Sequence, residues 1–196
     1  ALVDKSLVRC DASGRYSLHQ VLKQYAAEKL AESPPEEQET RARQAAYYLD
    51  LLWEKGEALK GRDQRVALSL LEKEVANLRV AWQYALTAGD WDRIRHSVLA
   101  LALFGEMGLS KPEQGEAIRA TLAAVRAAIA REGPDTILNS LLALLLAVRR
   151  FFAMTLEPTL PFHPLIDESL ALVQDLPAYQ DKAYVLLLDS VGSPLP

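Results

Sequence analysis

The chain has a single cysteine, Cys10, among its 196 residues, so it cannot form an intramolecular disulfide. A reducing compartment is the usual setting for such a chain, and we expect a cytoplasmic location. No cationic segment followed by a long apolar run opens the sequence, so no secretory signal is predicted. The first residue is Ala1 rather than methionine, which predicts that the chain is a piece of a longer protein.

Long apolar runs are also missing. The most apolar stretch spans residues 137–148 and is closed by Arg149 and Arg150. It is about 12 residues long, whereas a membrane-spanning helix needs about 20. It also contains Asn139 and Ser140. We therefore predict a buried helix here and no membrane partner.

The chain has no excess of positive charge. It carries 22 basic and 26 acidic side chains, which gives a formal net charge of −4. A surface that binds nucleic acid is usually strongly basic, so direct nucleic-acid binding is not predicted.

The sequence motifs that carry common enzyme chemistry are missing as well. We find no Gly-rich phosphate loop, no G-x-S-x-G turn and no H-E-x-x-H helix. His19, His96 and His163 are far apart, and none has a second ligand at metal-binding spacing. Cys10 has no neighbouring base that would make it a nucleophile. The sequence predicts a chain with no catalytic residues, no metal and no cofactor of its own.

Residues 1–32 predict the second half of a winged helix. Two short alternating segments flank a turn at residues 11–14, which indicates a β-hairpin over residues 7–18. Ser17 and Gln20 then have the spacing of a capping box, which predicts a helix start and places His19 in the first helical turn. Backbone N–H groups and the helix dipole favour an anion at that position. The apolar residues that follow share one helical face: Leu18, Val21, Leu22, Tyr25, Ala26 and Leu30.

Residues 33–196 predict only helices, separated by short turns rich in glycine and proline. The predicted helices lie at about 34–60, 63–88, 91–107, 111–131, 136–154, 164–176 and 178–190. In the first of them, the predicted buried stripe consists of Ala42, Ala45, Ala46, Leu49 and Trp53. Such helices form stacked antiparallel pairs, as in an α-solenoid or a bundle. The expected fold is mostly α, with one hairpin and a tetratricopeptide-like (TPR-like) α-solenoid.

Two blocks of sequence resemble a known family. Residues 2–8, the hairpin and residues 16–26 resemble the end of the winged-helix domain in bacterial STAND signal-transduction ATPases of the NB-ARC type. Residues 71–82 resemble the E-x-x-N-L-R sequence that opens the TPR-like region of these proteins, which include large transcriptional regulators. The matching positions in the second block are Glu74, Asn77, Leu78 and Arg79.

The resemblance implies a regulatory role. In this family the winged helix packs on the nucleotide-binding domain and holds the ADP-bound resting state. Residues 18–20 line up with the family's Met-His-Asp-type motif, so His19 would contact a phosphate of ADP in the full-length parent. Gln20 differs from the acidic residue that many members carry there. The chain itself would hydrolyse nothing, and ADP or ATP would belong to the parent protein.

The resemblance also implies that a protein or a small-molecule inducer binds the helical repeats. Such repeats form a long concave surface. We expect the helices at 91–107 and 136–154 to line it. The outward polar candidates on these helices are Arg93, His96, Glu106, Arg149 and Arg150.

An alternative function is a DNA-binding winged-helix transcriptional regulator with a helical dimerisation domain. It would need a basic recognition helix before residue 1.

Overall fold

The computed structural model describes residues 7–12, 14, 16–108, 111–156, 162–174, 176, 182 and 184–186. Within them, one β-hairpin precedes seven helices, and residues 184–186 are also helical. The elements are β1 Val8–Cys10, β2 Tyr16–Leu18, α1 Gln20–Ala31, α2 Pro34–Ala58, α3 Gln64–Ala88, α4 Trp91–Gly108, α5 Lys111–Glu132, α6 Thr136–Leu156 and α7 Phe162–Gln174. The predicted mostly α fold, with a single hairpin and a helical stack, is confirmed. Most of the helix predicted at 178–190 lies outside the described residues.

The chain divides into two compact units, Ala1–Arg43 and Gln44–Pro196, and the division falls within α2. In the first unit β1 and β2 pair antiparallel, with Arg9 opposite Ser17 at the centre of the ladder. The turn between them is closed by the Gly14 N–H, which donates to the Asp11 carbonyl at 3.0 Å. Gly14 has a φ of 80°, which is a left-handed conformation that glycine adopts without strain.

The predicted capping box at Ser17 is wrong. Ser17 belongs to β2, and its pairing with Arg9 keeps the backbone extended beyond the position where a cap would have to turn. The helix begins at Gln20, and His19 is its N-cap residue rather than a member of the first turn. Strand pairing therefore moves the start of the helix later than the side-chain spacing suggests.

Helix α1 has an uncovered apolar face. None of its residues is buried. Val21 is 66% exposed and Tyr25 is 58% exposed, and Leu7, Tyr16 and Leu18 on the hairpin are exposed too. We refer to these five residues as the α1 apolar face. A 12-residue helix is marginal in water by itself, because most helical stability comes from packing of its apolar side.

In the second unit, helices that follow one another in the chain pack together from α3 to α7, and α4 also packs on α6. The buried apolar side chains of these helices form one continuous core. Two glycines allow close helix contacts: Gly56 of α2 faces Ala100 of α4, and Gly105 of α4 faces Gln114 of α5. The Ser97 hydroxyl of α4 donates to the Leu49 carbonyl of α2 at 3.1 Å.

The predicted helix ends in this unit are confirmed to within two residues where the structure describes them. Gly89 ends α3 with a φ of 71°. Asp90 precedes α4 and accepts from the Arg93 N–H at 3.4 Å. Asp135 precedes α6 and accepts from the Leu138 N–H at 2.7 Å.

Helix α6 is surrounded by α4, α5 and α7, and of residues 138–150 only Asn139 and Arg149 are partly exposed. None of the helices in the described ranges has the length and apolarity to cross a bilayer.

On α2, the prediction that Trp53 is buried is wrong. Its side chain is 57% exposed, because Leu49, Leu52 and Gly56 occupy the face that packs on the core.

Candidate functional site

His19 lies at the junction between β2 and α1, and its ring is exposed. Its backbone is extended, with φ −61° and ψ 145°, and its carbonyl accepts from the N–H groups of Leu22 and Lys23 at 3.0 Å each. Its Nδ1 accepts from the Val21 N–H at 3.4 Å. When Nδ1 accepts in this way, the ring proton of a neutral imidazole lies on Nε2, which is then the atom that can donate to a ligand.

The surroundings of His19 favour an anion. The first turn of α1 contains no acidic residue, and Gln20 stands at its first position. The positive end of the helix dipole is therefore not neutralised locally. One imidazole donor beside this helix start can make one contact with a phosphate oxygen. It does not provide the set of backbone donors that a nucleotide-binding loop supplies.

Of the predicted partner-binding residues, Arg93 and His96 lie on α4. Arg93 forms ion pairs with Asp90 at 2.7 Å and with Asp50 of α2 at 3.4 Å. Its hydrogen bond to Asp90 raises the pKa of the guanidinium, with burial opposing and Asp50 adding a smaller effect. Arg93 thus links α4 to α2.

His96 contacts the exposed indole of Trp53, with ring centroids 5.6 Å apart. Its Nδ1 lies 3.6 Å from a carboxylate oxygen of Asp92, and its Nε2 lies 2.9 Å from the guanidinium of Arg95. Trp53 and His96 therefore form an exposed aromatic pair with charged neighbours. The sequence did not connect Trp53 with this surface, because its spacing resembled that of the buried stripe.

The remaining predicted residues differ in exposure. Glu106 is exposed on α4, and Arg149 is partly buried on α6. Arg150 is only 5% exposed, so the prediction that it points outward is wrong. The reason is the position of α6, which packs on three other helices and has almost no free face over residues 138–150. The expected concave surface made jointly by α4 and α6 therefore lacks its α6 side.

A groove that the sequence did not predict lies between α3 and α5, with α2 and α4 contributing to its lining. Its volume is about 370 Å³. Its lining is mainly apolar and includes Leu78 and Trp82 from α3, Leu101 and Phe104 from α4, and Ala117 and Ala120 from α5. Part of the wall from α3 comes from residues 75–82.

Charged side chains border the groove. The Arg79 guanidinium of α3 lies 3.0 Å from a carboxylate oxygen of Glu113 on α5. Glu116 and Gln83 also line it, and both are exposed. The groove thus combines an apolar lining with a few polar groups, which is the usual character of a small-molecule site.

Other kinds of site are not found in the described part of the chain, where no group of three His, Cys, Asp or Glu side chains could hold a metal ion. No family model, curated protein or solved structure matches the chain. Among the described residues, His19, the α1 apolar face and the groove are the features that bear on function.

The sequence contains only weak evidence for the groove. Leu78 and Trp82 are four positions apart, which places them on one helical face, and both are buried. Helical periodicity indicates which face of α3 is covered, but it cannot show that α3 and α5 leave a space between them. Arg79 and Glu113 are 34 positions apart, and only the packing of the helices brings them together.

Proposed function

We propose that the chain is a non-catalytic regulatory segment of a STAND signal-transduction ATPase located in the cytoplasm. In this proposal the hairpin and α1 form a switch arm that contacts ADP held by the nucleotide-binding domain of the parent protein. The stacked helices of the second unit sense an inducer or a partner protein. The proposal rests on the resemblance of residues 1–32 and 71–82 to that family, and the geometry at His19 supports it.

The observation that carries the proposal is the orientation of the His19 imidazole. Because Nδ1 accepts from the Val21 N–H, the Nε2–H faces outward at the positive end of α1. A donor at that place is what the contact with an ADP phosphate requires.

The α1 apolar face gives independent support. Five large apolar side chains on one small unit are exposed together: Leu7, Tyr16, Leu18, Val21 and Tyr25. Exposed apolar patches of this kind usually mark an interaction surface. In the proposal, the nucleotide-binding domain of the parent covers this surface, and His19 lies beside it in the sequence.

The same geometry argues against catalysis by this chain. A single imidazole donor cannot hold a triphosphate, a magnesium ion and an attacking water in line. We expect the chain alone to show no ATPase activity. Calorimetry with ADP or ATP should give no dissociation constant in the micromolar range, and such a constant would contradict the proposed division between segment and parent.

The decisive test is His19→Ala in the full-length parent. A charge-assisted hydrogen bond to a phosphate contributes about 1.5–3 kcal/mol. Its loss should speed ADP release roughly 10- to 150-fold and raise basal signalling. Arg65→Ala, an exposed change on α3 outside the groove, is the control and should leave ADP release unchanged. An unchanged ADP off-rate and unchanged basal signalling in the His19 variant would refute the proposal.

A further inference from the structure

We infer that the groove between α3 and α5 binds a small molecule with an apolar or aromatic body and one cationic nitrogen. This inference gives a chemical class to the ligand of the helical stack. Only the role of that ligand as an inducer rests on the proposed function. The binding itself follows from the size, the lining and the charge of the groove.

The size of the groove suits a compact organic ligand. Small-molecule sites usually enclose about 300–1,000 Å³, and this groove, at about 370 Å³, is at the lower end. Leu78, Trp82, Leu101 and Phe104 form an apolar lining, and each of them is buried. A ligand that enters would exchange water for contacts with aliphatic and aromatic carbon, which favours an apolar body.

The position of the Trp82 ring is fixed before any ligand binds. The Nε1–H donates to Oγ1 of Thr121 on α5 at 2.9 Å, and this hydroxyl donates in turn to the Ala117 carbonyl at 2.7 Å. The polar atom of the indole is therefore already engaged. Trp82 can offer a ligand only the surface of its ring, and an aromatic ring in the ligand would gain most from that surface.

Charge complementarity determines the polar end of the ligand. The three charged residues that line the groove are Arg79, Glu113 and Glu116. Arg79 and Glu113 form an ion pair at 3.0 Å and largely cancel one another. The Glu116 carboxylate forms no hydrogen bond or ion pair with any residue in the described ranges. The groove therefore keeps one unit of negative charge, which favours a cation.

A ligand with a carboxylate would be at a disadvantage. Its natural partner in the groove is Arg79, which already binds Glu113. An anionic ligand would have to separate that pair and would also approach Glu116. An exposed ion pair changes affinity by about two- to fivefold, so we expect a measurable order among ligands that differ only in their head group.

The test uses three probes with the same phenylbutyl body: 4-phenylbutylamine, 4-phenylbutanol and 5-phenylvalerate. Each is titrated into the full chain while the indole N–H signals of Trp53, Trp82 and Trp91 are followed by NMR. The Trp82 signal should shift, and the Trp53 signal should stay in place as an internal control. The amine should bind about two- to fivefold more tightly than the alcohol, and the carboxylate should bind most weakly.

Two pairs of variants localise the binding. Glu116→Gln should remove the advantage of the amine over the alcohol, whereas Glu72→Gln, on an exposed part of α3 outside the groove, should keep it. Ala120→Trp fills the groove and should abolish the Trp82 shift with all three probes. Ala123→Trp, on an exposed position of the same helix, is the matched control and should retain it.

The inference is overturned if no probe shifts the Trp82 signal, if the three head groups bind equally, or if the carboxylate binds best. It is also overturned if Ala120→Trp leaves binding unchanged. Glu116→Gln changes an exposed side chain, so it tests the head group even if a groove-filling variant does not fold. His19→Ala should not alter amine binding. A negative result in the probe titration can therefore be distinguished from a negative result in the ADP-release test on the parent.

Discussion

The indole Nε1–H of Trp82 on α3 donates a hydrogen bond of 2.9 Å to the Thr121 hydroxyl on α5. Both side chains are buried. The bond joins two helices that have a groove between them, and Trp82 is one of the residues that line that groove. It therefore connects the stability of the stack with the shape of its candidate site.

We predict that Thr121→Val destabilises the chain by about 1–3 kcal/mol, because the variant leaves a buried indole N–H without an acceptor. Urea unfolding provides the measurement. Thr121→Ser keeps the hydroxyl and should cost much less. Equal losses in the two variants would show that the methyl group of Thr121, rather than its hydroxyl, carries the contribution.

A second prediction concerns the contact between α4 and α5. A Cβ at Gly105 would collide with the amide of Gln114, which is fully buried and donates to the Ala102 carbonyl at 2.8 Å. We expect Gly105→Ala to lower the free energy of unfolding by about 1–3 kcal/mol through overpacking. Gly61→Ala is the matched control, because its nearest atoms would lie 3.9 Å from the new Cβ. Similar stability of both variants would contradict this packing.

A third prediction concerns pH. Lys60 donates to Glu57 at 2.7 Å and to the Tyr184 hydroxyl at 2.9 Å. Burial alone lowers the pKa of Lys60, but the hydrogen bonds to Glu57 and Tyr184 together outweigh it and raise the pKa above its ordinary value of 10.5. Because the folded pKa is the higher one, the stability that Lys60 contributes is present below pH 10.5 and is lost as the pH rises through the raised value.

The difference in unfolding free energy between the wild type and Lys60→Gln should therefore shrink as the pH is raised from 8 to above 10.5. Lys23→Gln, an exposed lysine of α1, should show no comparable change. A Lys60→Gln difference that stays constant over this range would show that the contacts with Glu57 and Tyr184 do not favour the charged amine.

The sequence was sufficient to predict the helices of the second unit because their ends carry local signals. Asp90, Asp135 and Gly89 act through hydrogen bonds or backbone angles within one turn of the helix, so they do not depend on the rest of the fold. The prediction of where α1 begins was wrong for the opposite reason. Ser17 could cap a helix, but its pairing with a strand residue eight positions earlier takes precedence.

The candidate sites depend even more on tertiary packing. Arg150 follows an apolar run in sequence, where a charge usually marks a solvent face, yet three neighbouring helices enclose it. The Arg79–Glu113 pair and the space beneath it arise from the separation of α3 and α5, which no local pattern encodes. The position of His19 at a helix start was predictable, but its role as the N-cap required the structure.

A fourth prediction tests the α1 apolar face. Val21→Ser and Tyr25→Ser should together change the unfolding free energy of this chain by less than about 0.5 kcal/mol per site, because both side chains are exposed. In the full-length parent the same pair should speed ADP release by weakening the docking of the switch arm. Val66→Ser with Tyr47→Ser, also exposed, is the matched control. Equal ADP release from both double variants would argue against docking through α1.

The last prediction separates burial from partner binding on the helical stack. Arg150 on α6 is buried and Glu106 on α4 is exposed, although both were candidates for the same surface. Reversing the charge of a buried side chain that interacts with its neighbours lowers the free energy of unfolding by about 3–5 kcal/mol. Reversing the charge of an exposed side chain changes it by no more than about 0.5 kcal/mol. We therefore expect Arg150→Glu to unfold at a much lower urea concentration and Glu106→Lys to unfold like the wild type. In the parent, Glu106→Lys should weaken the inducer response only if α4 contacts the inducer or partner. An Arg150→Glu variant that is as stable as the wild type would overturn the enclosed position of α6.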